Sequence, residues 1–320
     1  MPKSTSAAGL TLAALLASPT ALAAGFDVFL YPLSFDDGQW QLGQPKALTD
    51  RDGYDSQPAF TSDSKSLLLS SDRSGSYTDI YRINIKDGRV TQLTNTPDEG
   101  EFSPTPMANK AGIRYVVEQG VPHQSVWQQT EGQPRERAVN SMINSGYYSH
   151  HPEVGTLLWA RYGYNLYFEP KGEQADERHF VADSVGRSLH PIPGQPAFSF
   201  VQKRHDGQQI VTRFEPKTGS LTPIASLTPG SEDTAWSPNG WLFHTSDAGL
   251  QTLHYQTDKP MAQQQWTLVA PLTPPAANYS APNRLAVSPD NHWLAVVWQR
   301  KQQSKTLQIL PSTVLYANML

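Results

Sequence analysis

The chain of 320 residues contains no cysteine. That excludes disulfides, thiolate metal centres, thiol nucleophiles and a lipidated N-terminal cysteine. Helical patterning is nearly as scarce: after residue 24 no long stretch repeats its apolar residues with a 3.6-residue period. Nor is there an excess of basic charge to hold a polyanion. Lysine and arginine number 25 against 29 aspartates and glutamates, a net charge of −4, with no basic block or basic–aromatic stripe. Nucleic acid is therefore a poor candidate partner. No phosphate-cradling G-x-x-x-x-G-K-[ST] or G-x-G-x-x-G occurs, no G-x-S-x-G elbow and no H-E-x-x-H. No apolar run is long enough to cross a bilayer as a helix.

The longest apolar run lies at the N-terminus. Lys3 supplies a positive charge, Ala7 to Ala17 is small and apolar, Pro19 interrupts it, and Ala21-Leu22-Ala23 is a small-x-small motif. Residues 1–23 are expected to be a secretory signal cleaved before Ala24. Residues 24–320 would then form one domain in the periplasm or outside the cell. Without disulfides, such a domain needs a large core or a closed repeat array.

What the chain has instead is many short runs rich in Val, Ile, Leu, Tyr, Phe and Trp, divided by Gly, Pro, Asn and Asp clusters. These are the marks of an all-β protein. Residues 58–94 give the clearest unit, P-A-F-T-S-D-S-K-S-L-L-L-S-S-D-R-S-G-S-Y-T-D-I-Y-R-I-N-I-K-D-G-R-V-T-Q-L-T. It reads as four antiparallel strands, with turns at Thr61–Ser64, Asp72–Gly75 and Asp87-Gly88. Trp236–Phe243 and Val287–Ala295 repeat its opening. Anchors at Pro58, Pro104, Pro152, Pro191, Ala235 and Asn283 recur about every 45 residues, the length of one propeller blade. Six openings predict a six-bladed β-propeller of four-stranded blades. Residues 27–48 look like the second half of a blade and Arg284–Trp298 like a first half. The N-terminal strands are thus expected to complete the C-terminal blade, which removes two open sheet edges. Thr306–Leu310 is a competing strand for the third position of that blade.

The unit Ser62–Thr94 resembles the TolB-type propeller repeat, in which S-P-D-G-K-x-L-x-F-x-S is followed by a Gly turn, I-Y and a closing L-T. Gly100–Thr105, Gly186–Gly194 and Ser231–Gly240 are similar to segments of secreted stand-alone TolB-like propellers. The resemblance implies the fold over nearly all of residues 24–320, without the α/β domain that precedes the propeller in TolB. It implies no chemistry.

Polar residues recur where the blades open: Asp55 with Ser56, Glu101 with Ser103, Ser149 with His150 and His151, Arg187 with His190, Glu232 with Asp233, and Ser280. In a closed propeller the innermost strands line a central channel, so these side chains are expected to converge at its mouth. Histidines, carboxylates and an arginine together suit an anionic ligand or a divalent cation. The simpler reading is channel polarity and turn capping, with His151 and His190 held extended by the prolines that follow them. Tyr147, Tyr148, Tyr162, Tyr164 and Tyr167 offer a further contact surface. The function expected is a periplasmic or secreted platform that binds an envelope protein or a small anionic ligand. The alternative is a metal-assisted lyase or hydrolase acting on an anionic sugar in the channel.

Overall fold

The structure, a computed structural model, describes residues 25–301 apart from 76, 109, 121–122 and 173–177. The expected signal and the competing strand Thr306–Leu310 lie outside the described residues. The chain folds as a six-bladed β-propeller. The innermost strands of blades one to six are Asp55–Phe60, Gly100–Pro106, Ser145–His151, Val185–Pro191, Gly230–Trp236 and Tyr279–Val287. In the first five blades four strands follow one another outward in chain order, each antiparallel to the last.

The second strand of each blade is buried on both faces because its sheet is clamped between two neighbours. Leu67–Leu69, Val116-Val117, Leu157-Leu158, Phe200-Val201, Leu242-Phe243 and Leu294–Trp298 are all buried. These strands therefore read as unbroken apolar runs rather than as alternating ones. Each blade interface has its own apolar cluster. Between blades one and two, Leu68 and Ile80 meet Ile113, Tyr115 and Val117. Between blades five and six, Phe243 and Leu250 meet Phe29, Tyr31 and Trp298.

Two local devices explain the repeat motif. After the inner strand, a hydroxyl at Thr61, Ser237 or Ser288 donates to Asp63, Asn239 or Asp290 two residues on. The same hydroxyl accepts the backbone N–H of Ser66, Trp241 or Trp293, which starts the second strand in register. At the outer edge, the threonine of the closing L-T accepts an N–H from the third strand. Thr94 takes that of Ile80 at 2.8 Å and Thr49 that of Val28 at 2.9 Å.

The ring closes as the pattern of residues 27–48 predicts. Phe26–Asp36 occupies the third position of blade six, pairing antiparallel with Trp293–Arg300 from Phe26↔Gln299 to Pro32↔Trp293. That leaves no third position for another strand. Gln39–Leu42 and Lys46–Ala47 supply the outermost strand in two pieces. Polar bonds lock the seam. Asp27 accepts from the Tyr279 hydroxyl at 2.9 Å and from Arg300 Nε at 2.5 Å, and Trp298 Nε1 donates to the Tyr31 hydroxyl at 3.0 Å.

Candidate functional site in the central channel

The six innermost strands surround a cavity of about 450 Å³ on the propeller axis, and every blade contributes to its wall. That size falls among ordinary small-molecule pockets, roughly 300–1,000 Å³. Side chains stitch the blades together around it. In blade one, Gln57 adopts a left-handed backbone, φ 59°, at a bulge, and Ser103 does the same at φ 53° in blade two. Each such residue costs on the order of 1 kcal/mol. The bulge turns the Gln57 amide oxygen onto the Ser103 N–H at 2.6 Å and the Ser70 hydroxyl at 3.1 Å. The Thr105 and Tyr148 hydroxyls join blades two and three at 2.6 Å. The Ser188 hydroxyl lies 2.9 Å from that of Thr234 and accepts the Thr234 N–H, joining blades four and five.

On the side of blades four to six the wall becomes charged. Arg187 donates to both Asp233 oxygens, through Nε at 3.1 Å and Nη2 at 2.6 Å, and Nη2 also reaches Asn283 Oδ1 at 2.7 Å. Burial alone would raise the Asp233 carboxyl, but the Arg187 hydrogen bonds and the Arg284 charge hold it below the usual carboxylate range. Arg284 projects from blade six, opposite blade three in the ring. Its Nη2 donates to the Tyr147 hydroxyl at 3.0 Å, and its guanidinium lies over that ring, 5.2 Å from the centroid. This bridge spans the channel. Arg284 lies 3.8 Å from Asp233 Oδ1, an ion pair too long for a hydrogen bond. His190 is pulled down to about 4 chiefly by burial, with the Arg284 charge acting the same way against the Asp233 charge, so it is neutral at neutral pH. The charged groups lining the cavity are thus two arginines and one aspartate, a surplus of one positive charge.

Of the eight residues singled out from the sequence, Arg187, His190 and Asp233 line this cavity. The other five do not, because the anchors used to align the blades differ in depth. Pro58 and Pro104 fall within their strands, whereas Pro152 follows the end of its strand and Pro191 ends its own. Asp55 and Glu101 therefore sit at the opposite end of the inner strands from His150 and His151. Asp55 is fully buried and paired with Arg73 at 2.8 Å and Arg51 at 3.4 Å. Glu101 is fully buried, accepts from the Thr96 hydroxyl at 2.9 Å and lies 3.7 Å from Arg135. His150 Nδ1 is bonded to the Thr156 hydroxyl at 2.9 Å, and burial, followed by the Arg114 charge, pulls it down to about 4. His151 Nδ1 accepts the Glu153 N–H at 3.2 Å, which is turn capping. Glu232 pairs with Lys203 at 2.5 Å and lies 3.6 Å from Arg187, in space left by Gly186.

Arg284, Tyr147 in its bridging role, Asn283 and Gln57 belong to the site although the sequence reading did not place them there. A usable signal was present. Arg284 precedes the turn hydroxyl Ser288 by four residues, as Asp233 precedes Ser237. Aligning blades five and six on those hydroxyls brings Asp233 and Arg284 to one depth, whereas blade four has Ile192 in that place, five residues after Arg187. The residues do not suit a divalent cation: Asp233 is the one carboxylate of the lining, and it is already held by Arg187. No group of three His, Asp or Glu side chains among the described residues is arranged to hold a metal.

No protein-family model and no curated protein matches the sequence. Solved structures do match the fold. TolB from Acinetobacter baumannii aligns over 90% of this chain and 66% of its own, with a TM-score of 0.54 and 12% identity. The chain thus spans about two thirds of that protein's length. A TolB-type protein of Agrobacterium tumefaciens aligns over 87% of this chain and 99% of its own, with a TM-score of 0.62 and 12% identity. The gluconolactonase XC5397 of Xanthomonas campestris aligns over 84% and 95%, with a TM-score of 0.55 and 13% identity. The chain is a six-bladed propeller of the kind found in TolB proteins, and at these identities the likeness concerns the fold.

Proposed function

We propose that this protein is an exported propeller that binds a small anionic ligand in its central channel. The observation that carries this reading is the surplus positive charge on the cavity wall. Arg187 is neutralised by Asp233, whereas the Arg284 guanidinium, 16% exposed, has among the described residues only a neutral hydroxyl within hydrogen-bond distance. A mostly desolvated cation with unfilled donors attracts a negative charge far more strongly than a surface arginine does. The export assignment rests on the composition of residues 1–23. Binding is favoured over a metal-assisted lyase or hydrolase because the lining offers no set of free carboxylates and imidazoles. The neutral His190 is, moreover, engaged with Ser188 at 3.1 Å.

The test is charge selectivity. A panel of small anions, cations and neutral compounds would be screened by thermal shift on the wild type and on Arg284→Gln. Anions alone should raise the melting temperature, and only in the wild type. Equal shifts from cations, or shifts that survive the substitution, would refute the reading.

A further inference from the structure

The surplus charge can be taken one step further, to the class of ligand. Arg187 has no charge to spare: its Nε and Nη2 are turned onto Asp233 and Asn283, and Asp233 and Glu232 both stand against it. Among the described residues, Arg284 makes one hydrogen bond, to Tyr147. That hydroxyl accepts from a cation, which polarises its O–H, and its own proton has no acceptor among the described residues. Arg284 and Tyr147 therefore present two donors side by side at one end of the cavity, a match for the two oxygens of one carboxylate.

The rest of the wall is of another kind. Phe60, Pro104, Leu189, Pro191, Trp236 and Val287 line it with apolar surface. Most of its hydroxyls are spent on one another, Thr105 on Tyr148 and Ser188 on Thr234 and His190, which leaves that of Ser103. A polyhydroxylated ligand buried there would lose its bonds to water and find few replacements, whereas an apolar body would gain from burial. With one positive charge to neutralise, a second negative charge on the ligand would go unpaired.

Resting on the reading of the channel as an anion site, we infer that the ligand is an amphipathic monocarboxylate, an aryl or medium-chain carboxylic acid. It enters head-first, its carboxylate held jointly by Arg284 and the Tyr147 hydroxyl and its apolar body against the proline-lined wall.

Isothermal titration of the full chain with 4-phenylbutyrate, 4-phenylbutanol, 4-phenylbutylamine and galacturonate tests this. Phenylbutyrate should bind, and the alcohol, the amine and galacturonate should each bind at least about tenfold more weakly, the scale of one lost charge-assisted hydrogen bond. Arg284→Gln should weaken phenylbutyrate by about 20-fold or more, and Tyr147→Phe by about fivefold. Tyr147→Phe removes a single oxygen, so it keeps the test decisive if Arg284→Gln fails to fold. Galacturonate binding as tightly as phenylbutyrate, in an Arg284-dependent way, would overturn the inference and leave the anion site standing. Binding of neither carboxylate, or binding unchanged in both variants, would remove the inference and the anion site together.

Discussion

Two arginine–aspartate pairs of this propeller have buried aspartates, and they do opposite things. At the seam, Asp27 is fully buried and its oxygens accept from Arg300, the Tyr279 and Thr49 hydroxyls and the Arg51 N–H. Every one of those donors is protein, and Arg300 is shared further with Asp50 at 2.5 Å. On the channel wall, Asp233 is held as firmly by Arg187, but a second arginine stands beside the pair with no anion of its own. The seam is closed in charge and in hydrogen bonds. The channel is left one anion short. A buried ion pair therefore says little about function; an uncompensated charge facing a cavity says more.

The contrast would be broken most directly at the seam. Asp27→Ala leaves Arg300, Tyr279 and Thr49 facing a space without an acceptor and loosens the strand that closes the ring. Removing one partner of a buried pair costs about 3–5 kcal/mol. The variant should lose about that much in urea denaturation, or fail to accumulate as folded protein. Folded variant that survives should still bind phenylbutyrate as the wild type does. A loss below about 1 kcal/mol would show that the seam is held by its apolar cluster alone.

A second contrast lies within the repeat itself. Asp55 and Glu101 occupy equivalent places in blades one and two, yet Asp55 has two arginines and Glu101 has one at 3.7 Å. One Glu101 oxygen has no hydrogen-bond partner among the described residues. Burial, helped by the Asp79 charge and opposed by Thr94, Thr96 and Arg135, pushes its carboxyl up to about 7 from an ordinary 4.5. The folded value lies above the unfolded one, so between those pH values the folded state binds more protons. Stability contributed by the protonated carboxyl is complete below about 4.5 and is lost as pH rises toward about 7. Glu101→Gln should abolish that loss, and relative to wild type it should gain up to about 3 kcal/mol by pH 8. Denaturation of both proteins from pH 4 to pH 8 checks this, and parallel curves would mean the carboxyl stays ionised throughout.

The fold was legible because its determinants are local and repeated. The turn hydroxyls at Thr61, Ser237 and Ser288 and the closing threonines at Thr49 and Thr94 each fix a strand within one blade. The doubly buried second strands announce themselves as apolar runs. The candidate site was only half legible because it is set by depth along the inner strands, and bulges change that depth from blade to blade. Register shifts fall between Ser56 and Ala59, Val185 and Leu189, and Gly230 and Thr234. One residue of slip exchanges a channel-facing side chain for one buried in the sheet. The blade prolines stand at unequal depths for the same reason, so a proline spacing points to His150 and His151 rather than to Arg284.

The smallest effect is expected at His151, and it separates turn from site. Its Nδ1 caps the Glu153 N–H at 3.2 Å, and its ring stands edge-on to Phe198 with centroids 6.1 Å apart. Glu153 is exposed, so water can take over the lost hydrogen bond when the imidazole is removed. His151→Ala should therefore cost no more than about 1 kcal/mol, the usual price of a lost cap. Because His151 does not line the cavity, phenylbutyrate affinity should stay within about twofold of wild type, far from the loss expected at Arg284. Thermal melts and titrations on the same preparation read both quantities. A marked fall in affinity with an unchanged melting temperature would move the binding site toward the His151 turn and dissolve the distinction drawn between the channel wall and its rim.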